Sequence, residues 1–73
     1  MIPVESGRQL AEHLAGVRQA SGRTQQGFAT IMGTSQSYIS KLENYDIEPQ
    51  VSNVIRWVKA NGYRLMLVPV DEC

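Results

Sequence analysis

The chain has 73 residues, the size of one domain with a thin hydrophobic core. Seven basic and seven acidic residues give a formal net charge of zero, so its composition lacks the basic excess that many nucleic-acid binders carry. A single cysteine, Cys73, excludes an internal disulfide, and no apolar run approaches the roughly 20 residues of a transmembrane helix. We expect one domain over residues 1–73 and a cytoplasmic, nucleoid-associated protein.

The first predicted helix begins near Ser6, at the start of a helical region that extends to about residue 61. Ser6 and Gln9 have the spacing of a capping box, in which the two side chains satisfy backbone N–H groups at the helix start. Ser21 and Gly22 provide a stop signal. The apolar face of this helix comprises Leu10, Leu14 and Val17.

Two short helices are predicted next, joined by one tight turn. The second helix is capped by Thr24 and ends at Gly33, and the third begins after Thr34 or Ser35 and runs to about residue 44 or 45. The predicted apolar faces are Phe28, Ile31 and Met32 in the second helix, and Tyr38, Ile39 and Leu42 in the third.

The fourth predicted helix begins after Pro49 and ends at Asn61 and Gly62. Its predicted apolar stripe is Val51, Val54, Ile55 and Val58. Trp57 lies about 60° from that stripe on a helix of 3.6 residues per turn. The sequence leaves two roles open for Trp57, at the edge of the core or at an interface with another chain.

Residues 63–70 form an apolar, β-favouring run that predicts a C-terminal strand. A single strand cannot satisfy its own backbone polar groups, so we expect it to pair with the same strand of a second copy in a homodimer. Pro69 restricts that pairing because it removes one donor. The predicted dimerisation residues are Tyr63, Leu65, Met66, Leu67 and Val68.

Two short helices around a glycine turn form a helix-turn-helix unit, whose second helix enters the major groove of DNA. Its geometry depends on Ala29, which permits close helix approach, on Gly33 in the turn, and on the buried Ile39 and Leu42. With Thr24, Gln25, the run of residues 34–44 and Pro49, this pattern resembles the Xre/Cro/C1 family of repressors over about residues 14–58. The resemblance implies a mainly α, lambda-repressor-like domain of four to five helices.

The resemblance also implies functions for individual side chains. Gln25 would bind a DNA phosphate, and Gln36 and Lys41 suit adenine and guanine respectively. Arg18 and Glu43 would form a structural ion pair. The full set of implied DNA-contact residues is Gln25, Ser35, Gln36, Ser37 and Lys41, with Tyr38 and Asn44 at the DNA backbone.

Three features weigh on DNA binding and on the type of regulator. Between residues 16 and 45, Arg18, Arg23 and Lys41 oppose Glu43, a local charge of +3 − 1 = +2. Gly27 replaces a good helix former, and residues 45–48 are acidic where the family often has glycine and basic residues. The predicted strand in place of a fifth helix is similar to HipB-like antitoxins.

The function that we expect is therefore a sequence-specific repressor of a palindromic double-stranded operator, resembling an antitoxin that autoregulates its operon. Three alternatives remain open: an antitoxin that also binds a cognate toxin such as a HipA-like kinase, a free-standing phage or host regulator, and a protein-interaction module that keeps the fold. The sequence contains no nucleophile–histidine–acid set and no glycine-rich phosphate loop, so we expect no enzyme activity, no cofactor and no metal. His13 is predicted on the polar side of the first helix.

Overall fold

The computed structural model describes residues 1–70, and within that range the chain folds into four α-helices. They are α1 (Gly7–Ala20), α2 (Gln25–Met32), α3 (Gln36–Glu43) and α4 (Val51–Ala60). The prediction of a mainly helical, helix-turn-helix domain is confirmed, with four helices in the described part of the chain. Cys73 lies outside the described residues.

Side-chain caps begin two of these helices where the sequence places polar residues. Ser6 Oγ accepts the backbone N–H of Gln9 at 3.1 Å. Gln9 Oε1 in turn accepts the N–H of Glu5 at 2.6 Å, one residue earlier than in a standard capping box. Ser35, and not Thr34, caps α3 by accepting the N–H three residues further on at 3.1 Å. These bonds satisfy N–H groups that have no partner within the helix.

Trp57 lies at the centre of the core. Its side chain has no exposed surface, and Nε1–H donates to the backbone oxygen of Leu14 at 2.9 Å. Its ring meets that of Phe28 edge-on, with centroids 4.8 Å apart. The suggested roles at the core edge or at an interface are therefore wrong. The buried core comprises Leu14, Val17, Phe28, Ala29, Met32, Ile39, Leu42, Val54 and Trp57.

Two apolar residues that were predicted in the core lie on the surface. Val51 is 68% exposed and Ile31 is 52% exposed. In α4 the buried face is centred on Val54 and Trp57, so the first residue of the helix points outward. In α2 the core side is formed by Phe28, Ala29 and Met32, and Ile31 lies between those positions on the outer surface.

Residues 63–70 form no strand in the described chain, contrary to the prediction. The physical reason is that a strand exists only by pairing its backbone N–H and C=O groups with a neighbouring strand. The four helices offer no such neighbour. The segment follows α4 directly, because the Tyr63 N–H donates to the Val58 carbonyl at 2.8 Å. Its apolar side chains are exposed, with Leu67 at 97%.

No helix in residues 1–70 has both the length and the apolar character needed to span a membrane.

Candidate nucleic-acid interface

The turn between α2 and α3 is tight because Gly33 adopts a left-handed conformation. Its φ is 72°, and its N–H donates to the carbonyl of Thr30 at 3.2 Å. The N–H of Thr34 donates to the carbonyl of Ala29 at 2.9 Å, which completes the C-terminal cap of α2. Ala29 is fully buried, so its small side chain permits close packing at the bend. These contacts fix α3 relative to α2.

One face of α3 is polar and exposed, while the opposite face is buried in the core. Ile39 and Leu42 are at most 1% exposed and attach the helix to the core. Tyr38 is half-buried, and its hydroxyl accepts a bond from Asn53 Nδ2 at 2.7 Å. The exposed residues of the predicted contact set are Ser35, Gln36, Ser37, Lys41 and Asn44.

The first residues of α2 and α3 meet at the edge of this face. Gln36 Nε2–H donates to Gln25 Oε1 at 2.9 Å, and Gln25 Nε2–H donates to Glu43 Oε1 at 3.0 Å. The sequence analysis missed these bonds. Glutamines at the first position of two adjacent helices are the signal that could have revealed the first of them.

Arg18 and Glu43 form a buried, bidentate ion pair between α1 and α3. Arg18 Nε lies 2.6 Å from Glu43 Oε2, and an Arg18 terminal nitrogen lies 3.0 Å from Glu43 Oε1. The two side chains are 9% and 5% exposed. The other terminal nitrogen of Arg18 donates to the carbonyl of Arg23 at 2.7 Å. Arg18 therefore acts inside the fold and adds little positive charge to the surface.

The local positive charge near α3 is smaller than the sequence indicates. Arg23 donates to the carbonyl of Ala60 at 2.6 Å, so its cation also serves a contact within the chain. Of the three basic residues between positions 16 and 45, Lys41 is the one with an exposed side chain on α3. Arg56 of α4 is exposed and donates to the carbonyl of Met32 at 2.9 Å, beside the turn. This places a cation near the turn that sequence reasoning treated as a solvated residue.

The sequence profile of a helix-turn-helix family matches residues 14–67, about three quarters of the chain. The chain belongs to the helix-turn-helix family of the Xre/Cro/C1 type. Membership makes it a DNA-binding regulator of the Xre type. No curated protein and no solved structure matches the chain.

Gly27, which departs from the family pattern, has a physical explanation in this helix-turn-helix protein. Its N–H donates to Thr24 Oγ1 at 3.0 Å, the capping bond of α2. A Cβ atom at Gly27 would lie 3.2 Å from the same oxygen, closer than ordinary van der Waals contact. Glycine therefore lets the cap approach the helix without displacement, at the cost of helix propensity.

The acidic connection after α3 is held by Tyr45, whose φ of 58° is left-handed. The phenol donates to Glu48 Oε1 at 2.9 Å, and this bond raises the pKa of the Tyr45 phenol above its usual value. The guanidinium of Arg8 lies 5.3 Å from the centre of the ring. Gly7 packs so closely against the ring that a Cβ atom there would come within 2.8 Å of ring carbons. The connection is thus tied to the start of α1.

Over residues 1–70, no group of three or more His, Cys, Asp or Glu residues lies close enough together to hold a metal ion. An open cleft runs between the turn and α4, bordered by Gly33, Thr34, Tyr38, Asn53 and Arg56. Polar side chains predominate along its border, which is typical of a surface groove and not of an apolar ligand pocket.

Proposed function

We propose that this regulator is a sequence-specific transcriptional repressor that binds a palindromic operator as a homodimer, and that it acts as a HipB-like antitoxin that autoregulates its operon. The observation that supports the proposal most is the exposed polar face of α3, fixed by the buried Ile39 and Leu42. A rigid short helix with free polar side chains is what reading base edges in the major groove requires.

The proposed contacts divide into two groups. Ser35, Gln36, Ser37 and Lys41 read bases, with Lys41 donating to guanine O6 and N7. Gln25, at the start of α2, binds a phosphate together with nearby backbone N–H groups, and Tyr38 and Asn44 contact the DNA backbone. Phosphate contacts set the position of the protein on DNA, whereas base contacts set the sequence.

The homodimer is proposed to form through residues 63–70. Exposed apolar side chains in a small domain indicate a surface that another chain covers. Antiparallel pairing of two such segments would form a two-stranded sheet about a two-fold axis. Two α3 helices could then enter successive major-groove segments about 34 Å apart. The residues proposed for this interface are Tyr63, Leu65, Met66, Leu67 and Val68.

Selection of bound DNA from a random pool tests operator recognition. We expect a palindromic consensus, and affinity that falls steeply with salt because phosphate binding releases counterions. Failure to bind any DNA at low salt would contradict the proposal and favour the protein-interaction module.

Lys41→Ala tests base reading on the selected operator. Preference at one base pair should fall by about 1–3 kcal/mol, because a bidentate contact to guanine is lost. Lys59→Ala, which removes the same charge from an exposed position of α4, is the matched control and should leave base preferences unchanged. Competition binding with single-base operator variants measures both. A uniform loss of affinity from Lys41→Ala would contradict base reading.

The antitoxin role is tested by co-expression with the adjacent reading frame. We expect the two products to purify as a complex, and the neighbouring product alone to arrest growth. A regulator that purifies without a partner, beside a harmless neighbour, would instead be the free-standing type.

A further inference from the structure

We propose that Glu43 is a positioning residue that fixes the direction of the Gln36 amide through Gln25, and thereby gives Gln36 a preference for adenine over guanine. The inference rests on the proposed base-reading role of α3. It assigns a specificity function to a buried residue that has no direct path to DNA.

The direction is set first at Glu43. A carboxylate can only accept hydrogen bonds, and Oε1 of Glu43 accepts one from Gln25 Nε2 at 3.0 Å. The amide of Gln25 must therefore turn its nitrogen inward. Its oxygen then faces Gln36.

The same constraint passes to Gln36. Gln25 Oε1 is an acceptor, and Gln36 meets it with Nε2 at 2.9 Å. If Gln36 rotated its amide by half a turn, two oxygens would oppose each other. One N–H of Gln36 is therefore used, while its second N–H and both lone pairs of Oε1 stay available.

The free groups of Gln36 match one base. Adenine presents an N6–H donor and an N7 acceptor in the major groove, which pair with Oε1 and the remaining N–H. Guanine presents two acceptors, O6 and N7, so an amide held in this direction would leave its oxygen opposite another oxygen. An amide free to flip could instead use its two N–H groups on guanine.

Glu43 can impose the direction because Arg18 holds it firmly. Two bonds from the guanidinium, at 2.6 and 3.0 Å, fix both carboxylate oxygens. Exposure then rises along the series, from Glu43 with a 5% exposed side chain through the half-buried Gln25 to the exposed Gln36. Orientation is thus transmitted from a rigid interior to a flexible surface side chain.

The test uses the full chain and its selected operator. Gln36→Ala first identifies the base pair that Gln36 reads, as the pair at which adenine preference disappears. Gln25→Met then removes both amide groups of the intermediate residue while the Arg18–Glu43 pair stays intact. We expect the preference for adenine over guanine at that pair to fall from roughly 10- to 100-fold to about threefold or less.

Glu43→Gln gives a second arm, because an amide at position 43 can present either oxygen or nitrogen to Gln25. We expect the same selective loss at the Gln36 base pair, with the preference at the Lys41 base pair retained. Gln26→Met, the same substitution at the next and exposed residue of α2, is the control and should keep the adenine preference. Circular dichroism confirms that each variant is folded.

Two negative results are distinguishable. If Gln25→Met weakens all operator variants equally and leaves adenine preference intact, Gln25 serves only as a phosphate contact and the inference is overturned. If Gln36→Ala changes preference at no base pair, the proposed base-reading role itself fails.

Discussion

Arg18 and Glu43 bring opposite charges into the interior, and each is stabilised there by the other. Arg18→Met would leave the Glu43 carboxylate buried with only the Gln25 amide as a polar partner. Removing one member of a buried pair typically costs about 3–5 kcal/mol, a large part of the stability of a small domain. We expect a loss of that size in the free energy of unfolding, measured by urea denaturation.

The double variant Arg18→Met/Glu43→Leu separates the ion pair from simple packing. Replacing both charges with apolar groups removes the unpaired carboxylate, so at least half of the lost stability should return. A double variant as unstable as Arg18→Met alone would show that the pair is not the source of the effect.

At the scale of residues, the sequence predicted which side chains matter better than it predicted what they bind. Polar residues on α3 and the caps Ser6 and Thr24 follow from local spacing, which a sequence contains. The bonds between Gln25, Gln36 and Glu43 join residues 11 and 18 positions apart. Such contacts depend on how three helix ends meet, and no local pattern specifies that.

At the scale of elements, the turn between α2 and α3 depends on the backbone freedom of one glycine. Gly33→Ala should lower stability by about 1 kcal/mol, because a side chain at φ 72° is strained. Gly16→Ala is the matched change inside α1, where an added Cβ meets nothing within 4 Å. It should raise stability by about 0.5–1 kcal/mol through helix propensity. Urea denaturation measures both variants, and shifts of the same sign would contradict the assignment of strain to the turn.

Helix positions were predictable from caps and stop signals, but helix faces were predicted less well. Val51 and Ile31 fit an apolar period, yet each lies outside the angle at which its helix meets the core. Trp57 was set aside because it lay off the longest stripe of small apolar residues. Its large ring fills the centre of the core, and its N–H has a carbonyl partner. Periodicity gives the existence of an apolar face, whereas the neighbouring helices decide its direction.

At the scale of the whole molecule, the segment after α4 is the part that one chain leaves without a partner. A strand pairs through backbone groups, and successive N–H groups point to opposite edges. In a two-stranded intersubunit sheet, each copy uses one edge only. The strand prediction could not be realised within a single chain, because its hydrogen-bonding partner would lie in a second copy.

This geometry gives a test of the proposed dimer that does not depend on side-chain size. Proline lacks the backbone donor, so Met66→Pro and Leu67→Pro remove N–H groups from opposite edges. We expect one of the two variants to become monomeric at micromolar concentration, and the other to remain dimeric, in sedimentation velocity experiments. Met66→Ala and Leu67→Ala keep the donors and should remain dimeric. Two dimeric proline variants would exclude the strand ladder as the main contact, whereas two monomeric ones would indicate that the segment packs through its side chains on more than one edge.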